Sequence, residues 1–463
     1  MSYHQESAIP ADGMTSILRL GRLDTFGRFL LWIYLFSFAF DFRGEEGGST
    51  IQFVYAGLSL ITGLGFVLYE STRYKLETIT VNMVWIVWLW WLYLLSTVVT
   101  AVLVGVVWGH YIRVVFPVIL TGVSMLIVYV LARRKMNLNE VVIPLLYAAL
   151  VSVYFRAIYA VWIADIDIEE MRYQIASPAT WFILAYVTSA IVERRRIGLV
   201  AWIATIGTVT FVLLSITRTF LLQIAVLMLG FFLVTHRNGL RENLRRMNIA
   251  FVVFICAVLP AVALGWFLRP DIFETWTSRL FYHSIEPGAD ITLVTRLAEW
   301  SGMWQSFTSS AISIAFGKGL GSVHEWDPNY YQILASVVPA ISEMGSIEIW
   351  YRGHSMWVYS FYSGGLMFGW IVPSILLWAL YSSYQVAKVA ICTGATFQSR
   401  VITLPYFVLL LCLGYSFAAD PFSERFQGLL LGLMFCMPAW VKSLPVGVMD
   451  TRFHRRTKYD QKV

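Results

Sequence analysis

Arg113, Arg218, Arg296, Lys318 and Arg352 stand beside or between long apolar stretches, and His354 follows two residues after the last of them. Arginine's planar fork matches phosphate oxygens, often two at a time, and lysine adds a point charge. Apolar helices are expected to open at Arg218 and just after His354, and helix N-termini direct N–H groups at anions. The ligand that suits such a set is a pyrophosphate. The positive end of a helix starting after His354 disfavours a protonated ring. A neutral imidazole can take a proton from a sugar hydroxyl, which is the work of a general base. Glu299 lies three residues after Arg296, and at that helical spacing the two also read as a plain ion pair. Arg156 sits inside an apolar stretch, Val153-Tyr154-Phe155-Arg156-Ala157-Ile158, where an arginine costs roughly 2.5–3.5 kcal/mol and usually answers to a ligand, a partner charge or a polar cavity. His110, His283 and His324 read as interfacial histidines with no chemistry.

Other chemistries find little footing. Gly317-Lys318-Gly319-Leu320-Gly321 lacks the spacing of a nucleotide-binding loop and the Ser/Thr after its lysine, so it reads as a turn bringing backbone close to something. No HExxH, carboxylate triad or Ser/His/Asp order appears, and neither a metal nor an organic cofactor is expected. Cys256, Cys392, Cys412 and Cys436 fall in or beside apolar stretches without metal-ligand spacing and read as small hydrophobes.

The elements that must position these residues are membrane helices. The chain of 463 residues is 58% hydrophobic and 13% charged, about half the charged share of ordinary soluble domains. Several apolar runs reach the ~17–25 residues that cross a bilayer. The fold class expected is all-α, a polytopic integral membrane protein with about twelve transmembrane helices. The spans fall at 27–42, 51–69, 80–107, 113–132, 141–164, 179–193, 197–215, 219–235, 248–268, 355–386, 401–418 and 426–442. Basic residues settle the orientation, because cytoplasmic segments carry the excess of Lys and Arg. Arg19, Arg22 and Arg28, Arg73 and Lys75, Arg133 to Lys135, Arg194 to Arg196, Arg237 to Arg246, Lys388 and Arg400, and the tail around Arg452 to Arg456 all fall on one side. Short loops on the other side are acidic, with Asp41, Glu45 and Glu46 in one and Asp165 to Glu170 in another. Both termini are then cytoplasmic, and the first span is retained. The net charge of +6 follows this topology and does not point to nucleic acid.

Five segments result: a cytoplasmic tail at 1–26, nine spans over 27–268, a large outer loop at 269–354, three spans over 355–442 and a basic cytoplasmic tail at 443–463. The outer loop is too long for a mere connector. Leu293, Leu297, Trp300, Trp304 and Phe307 recur at helical spacing, which predicts a helix lying on the membrane with Arg296 and Glu299 on another side. A second apolar run, Tyr330 to Met344, is broken by Pro339.

At these residues the chain resembles the O-antigen polymerase and O-antigen ligase family of bacterial envelope glycosyltransferases. The resemblance rests on Thr217-Arg218-Thr219 leading into an apolar helix, Arg296 followed by Glu299-Trp300, Gly317 to Gly321, His354-Ser355, and Gly364-Gly365. It covers roughly residues 200–440, with the same layout of many spans and one large periplasmic loop. Thr217 stands where the family tends to have serine, and Phe368 where its ligase branch tends to have tyrosine or a small residue. The resemblance implies a metal-independent transfer of a glycan from undecaprenyl pyrophosphate to a sugar hydroxyl at the periplasmic face of the bacterial inner membrane. It implies that Arg218 and Arg296 hold the pyrophosphate and that His354 activates the acceptor. Arg113, Arg156, Glu299, Lys318 and Arg352 are expected to contact substrate. The first functional reading is a polymerase of lipid-linked repeat units of O-antigen, capsule or exopolysaccharide. A flippase and a chain-length regulator would be its partners, and membrane lipids its surroundings. A ligase delivering the chain to lipid A core or to a protein is the alternative. A lipid or anion transporter is the reading from another class.

Overall fold

The computed structural model describes residues 22–40, 50–74, 81–159, 177–214, 218–235, 291–330, 351–393 and 401–444, with scattered positions between 248 and 267 and at 333. The ninth expected span lies mostly outside these residues. So do the terminal tails, the acidic loop at Asp165 to Glu170, the arginines from Arg237 to Arg246 and most of the apolar run from Tyr330 to Met344.

What is described is helical. In chain order the helices are α1 (Thr25–Phe36), α2 (Thr50–Arg73), α3 (Val81–Val104), α4 (Trp108–Arg133), α5 (Asn139–Ile158), α6 (Pro178–Val192), α7 (Leu199–Leu214) and α8 (Arg218–Thr235). There follow α9 (Ile291–Thr308), α10 (Ala311–Phe316), α11 (Met356–Phe368), α12 (Ile371–Thr393), α13 (Leu404–Ser416) and α14 (Gln427–Ser443). Among the described residues, four helices are long and apolar enough to cross a membrane, and a fifth crossing is made if the bent pair α11–α12 counts as one span. Apolar side chains such as Ile61, Leu68, Trp85, Trp88 and Leu103 stand exposed along α2 and α3, a face suited to lipid.

Small residues let the central helices approach closely. Gly428 and Gly432 of α14 are four apart, and a Cβ on either would run into the α4 backbone at Pro117 or Thr121. This is the small-xxx-small packing of membrane helices, in which close backbone contact replaces a hydrophobic driving force. Interhelical hydrogen bonds reinforce it: Ser124 Oγ donates to the Leu429 carbonyl at 2.8 Å, and Trp90 Nε1 to the Val118 carbonyl at 2.9 Å.

Residues 355–386, expected as one crossing, are two helices that meet at 104°. Gly365 supplies the break, with φ 63° and ψ −168°, a conformation open to glycine and strained for any residue with a Cβ. The freed backbone is used at once. Lys318 N–H donates to the Tyr362 carbonyl at 2.8 Å and Gly319 N–H to the Ser363 carbonyl at 3.0 Å. The glycine turn therefore locks onto the helix break, and Gly321 presses on the α4 backbone at His110 and Tyr111.

Candidate functional site

α9 forms where its periodicity places it, and part of its apolar stripe stands outward. Phe307 is buried, whereas Leu293 and Trp304 are more than half exposed. The inward side carries Ala298, Met303 and Glu299, the last with no solvent exposure. The segment 324–327 covers that side. Asp327 N–H donates to the Ala298 carbonyl at 2.9 Å, and Gly302 admits the Glu325 carbonyl where a side chain would clash. The Asp327 carboxylate gathers Ser301, Gln305 and the Asn329 N–H, which holds its charge below the usual carboxylate range.

Glu299 meets His354 twice. Its Oε1 accepts the His354 backbone N–H at 2.9 Å, and its Oε2 lies 2.8 Å from Nδ1 of the same ring. An ionised carboxylate only accepts, so the network assigns the ring hydrogen to Nδ1 and makes Nε2 the lone-pair nitrogen of the neutral ring. His324 Nε2 stands 3.5 Å from Oε1, at the long edge of hydrogen-bonding distance, and Arg296 Nη1 is 3.9 Å from Oε2. Burial pushes the Glu299 carboxyl up, but the hydrogen bonds of His354 and the close polar approach and charge of the two histidines outweigh it and hold the group at about 2. Glu299 is thus a buried anion. The His354 side chain keeps 30% of its surface, so the ring reaches from this anion toward the outside.

His354 is fixed from its other neighbours too. Arg352 Nη1 donates to the Ser423 carbonyl at 2.6 Å and Nη2 to the Arg113 carbonyl at 3.0 Å. Tyr351 stacks on His110 with ring centres 4.4 Å apart, and its carbonyl accepts the Tyr359 hydroxyl at 3.1 Å. In this way α4, α11 and the loop 417–426 all grip residues 351–354.

The structure therefore brings Arg296, Glu299 and His354 together. Glu299, expected at the substrate, is turned inward onto His354. Arg352 contributes its guanidinium to backbone carbonyls, and Arg113 accepts through its own backbone while its side chain is exposed. Lys318 Nζ donates to Ser309 Oγ at 3.0 Å. Arg156 is buried in the last turn of α5. Arg218 is the first residue of α8, and its side chain lies outside the described residues.

Two groups were not anticipated. His324 has the sequence context of a plain interfacial histidine, although it lies three residues beyond a turn that demands a close backbone approach. Asp420, in the loop between α13 and α14, is buried; its Oδ1 accepts Phe422 N–H at 3.0 Å. Burial raises its carboxyl to about 6, with the Arg352 charge opposing and the Glu299 charge adding. Among the described residues no three or more His, Cys, Asp or Glu side chains are placed to hold a metal ion. A buried carboxylate that aligns an imidazole, with an arginine alongside, is an arrangement for taking a proton from a hydroxyl. No family model matches the chain, and no curated protein matches it.

Proposed function

We propose that this protein is an integral-membrane glycosyltransferase that polymerises lipid-linked oligosaccharide repeat units. The observation that carries the reading is the 2.8 Å contact between Glu299 Oε2 and His354 Nδ1. It orients a histidine as a base without help from substrate. In the reaction, the acceptor hydroxyl oxygen forms a bond to the anomeric carbon of the donor glycan. The bond from that carbon to the undecaprenyl pyrophosphate oxygen breaks, and the pyrophosphate leaves with the bonding pair. His354 Nε2 takes the hydroxyl proton, and Glu299 stabilises the imidazolium that results. Charge on the departing pyrophosphate needs fixed donors, the role given to Arg218 and Arg296.

Topology frames the proposal. Twelve spans with both ends cytoplasmic put α9, α10 and His354 at the periplasmic face, where a lipid-linked donor would be met. A reporter fused near Asp290 is expected to be active only outside the cytoplasm, and cytoplasmic activity there overturns the assignment.

The decisive experiment gives the purified chain lipid-linked repeat units alone, with a chelator present. A ladder of longer lipid-linked chains is expected. Silence until lipid A core or a protein acceptor is added replaces the polymerase with the ligase. A reaction abolished by the chelator sinks the metal-independent mechanism.

A further inference from the structure

Two histidines close on Glu299, and only one of them faces outward. His324 lies between the glycine turn and Asp327, and is 2% exposed. Its backbone surroundings are pinned on both sides: the Val323 carbonyl accepts the Tyr362 hydroxyl at 3.0 Å, and Asp327 is tied to α9. Its ring stands edge-on to Tyr362 at 5.5 Å. Neither ring nitrogen has a well-formed hydrogen bond among the described residues, yet Nε2 is 3.5 Å from Glu299 Oε1. A buried polar group left without a partner costs about 1–3 kcal/mol, so among the described residues the Glu299 carboxylate is the acceptor within reach of that donor.

Glu299 needs such an anchor. The terminal torsion of glutamate is soft. Among the described residues both short contacts to its oxygens come from His354, so a rotation of the carboxylate would loosen both at once. Arg296 Nη1 stands 3.9 Å from Oε2. A donor on Oε1 from a different segment would hold the carboxylate plane against that rotation.

We propose that His324 is a positioning residue: as the Nε2–H tautomer it donates to Glu299 Oε1 and so keeps Oε2 on His354 Nδ1. Its kinetic consequence rests on the transferase reading above; its structural consequence does not.

The test uses the full chain in nanodiscs, carrying ring-¹⁵N histidine, with His354 assigned from a His354→Gln sample. His324→Phe keeps an aromatic ring against Tyr362 and removes the donor, while His324→Gln retains an amide N–H near the position of Nε2. The wild type is expected to show His354 as the Nδ1–H tautomer with a strongly downfield, hydrogen-bonded proton. His324→Phe should lose or broaden that signal, and His324→Gln should restore it. In the ladder assay, kcat should fall about 10–100-fold in the Phe variant with KM for the lipid-linked donor unchanged, and recover to within a few-fold in the Gln variant. Equal behaviour of Phe and Gln in the His354 spectrum, or a Phe variant with the wild-type signal, overturns the proposal. Because the spectrum is read without substrate, it stands even if the chain proves not to be a transferase.

Discussion

Glu70 and Glu299 are both completely buried, and they show how a partner decides what a buried carboxylate can do. Glu70, near the end of α2, is bound by Arg134, whose guanidinium lies 3.7 Å over the Tyr74 ring. Asp24 lies nearby, accepting from the Gly27 N–H and from Arg73. The cations seen on these two carboxylates, Arg73 and Arg134, are guanidiniums, which keep their protons at any ordinary pH. That cluster can tie α1, α2 and the end of α4 together, and no more. Glu299 is held by imidazoles, whose ring nitrogens can give or take a proton. The same burial thus gives a lock in one place and a device for moving a proton in the other.

The sharpest way to break this comparison is to neutralise each carboxylate in turn. Glu299→Gln offers His354 Nδ1 an amide in place of an anion, and transfer is expected to fall on the order of 10³–10⁴-fold while the protein still inserts. Glu70→Gln leaves Arg134 without its counter-charge, which costs about 3–5 kcal/mol of stability, but turnover per folded molecule should be unchanged. Ladder synthesis measured beside thermal unfolding separates the two. Comparable loss of turnover in both variants would erase the distinction.

Next in size are the arginines. Arg218→Ala and Arg296→Ala are each expected to lower transfer by about 10²–10³-fold, the cost of one donor to a developing oxyanion. Lysine should rescue poorly, because a point charge does not reproduce a two-pronged phosphate contact. Near-normal synthesis in both alanine variants would remove the pyrophosphate clamp. It would leave Arg296 as a distant counter-charge to Glu299, the ion-pair reading of its spacing.

The helical, membrane-suited character of the chain was legible because apolar length and composition depend on few tertiary details. The site was legible in part. Arg296, Glu299 and His354 were marked by residue type and by their place beside apolar stretches, but the link between Glu299 and His354 joins positions 55 apart in sequence and no periodicity reports it. Periodicity marked the apolar stripe of α9, of which Leu293 and Trp304 stand outward, but held no sign that the segment 324–327 covers the side bearing Glu299. The break at Gly365 was hidden inside a run of apolar residues, where hydropathy is blind to φ. His324 and Asp420 carried no local signal of their own, and their meaning comes from what packs around them.

Acid sharpens the comparison further. Glu299 is depressed from 4.5 to about 2, so the stability it contributes is fully present above pH 4.5 and is lost as the pH falls through 2. The stability gap between wild type and Glu299→Gln, followed by unfolding at stepped pH, should be present at pH 4.5 and close as the pH falls toward 2. A gap that closes well above pH 4.5 instead would mean that the folded protein does not hold the Glu299 carboxyl below its ordinary value.

Asp420 extends the comparison to a third buried carboxylate, one whose direct hydrogen bond comes from the Phe422 N–H. Its carboxyl is raised from 3.8 to about 6, so the sign reverses. Keeping the group ionised in the folded protein costs stability, and that cost grows from pH 3.8 and is complete above 6. Asp420→Asn retains an oxygen for Phe422 and removes the charge, so a gain of roughly 3 kcal/mol is expected above pH 6 and none below 3.8. Part of the cost is repulsion from the Glu299 anion. In a Glu299→Gln background that repulsion is gone, so the same Asp420→Asn change should gain less. A double-mutant cycle above pH 6 reads this difference directly. An equal gain in both backgrounds would place the whole penalty in burial, and would separate Asp420 electrostatically from the pair that holds His354.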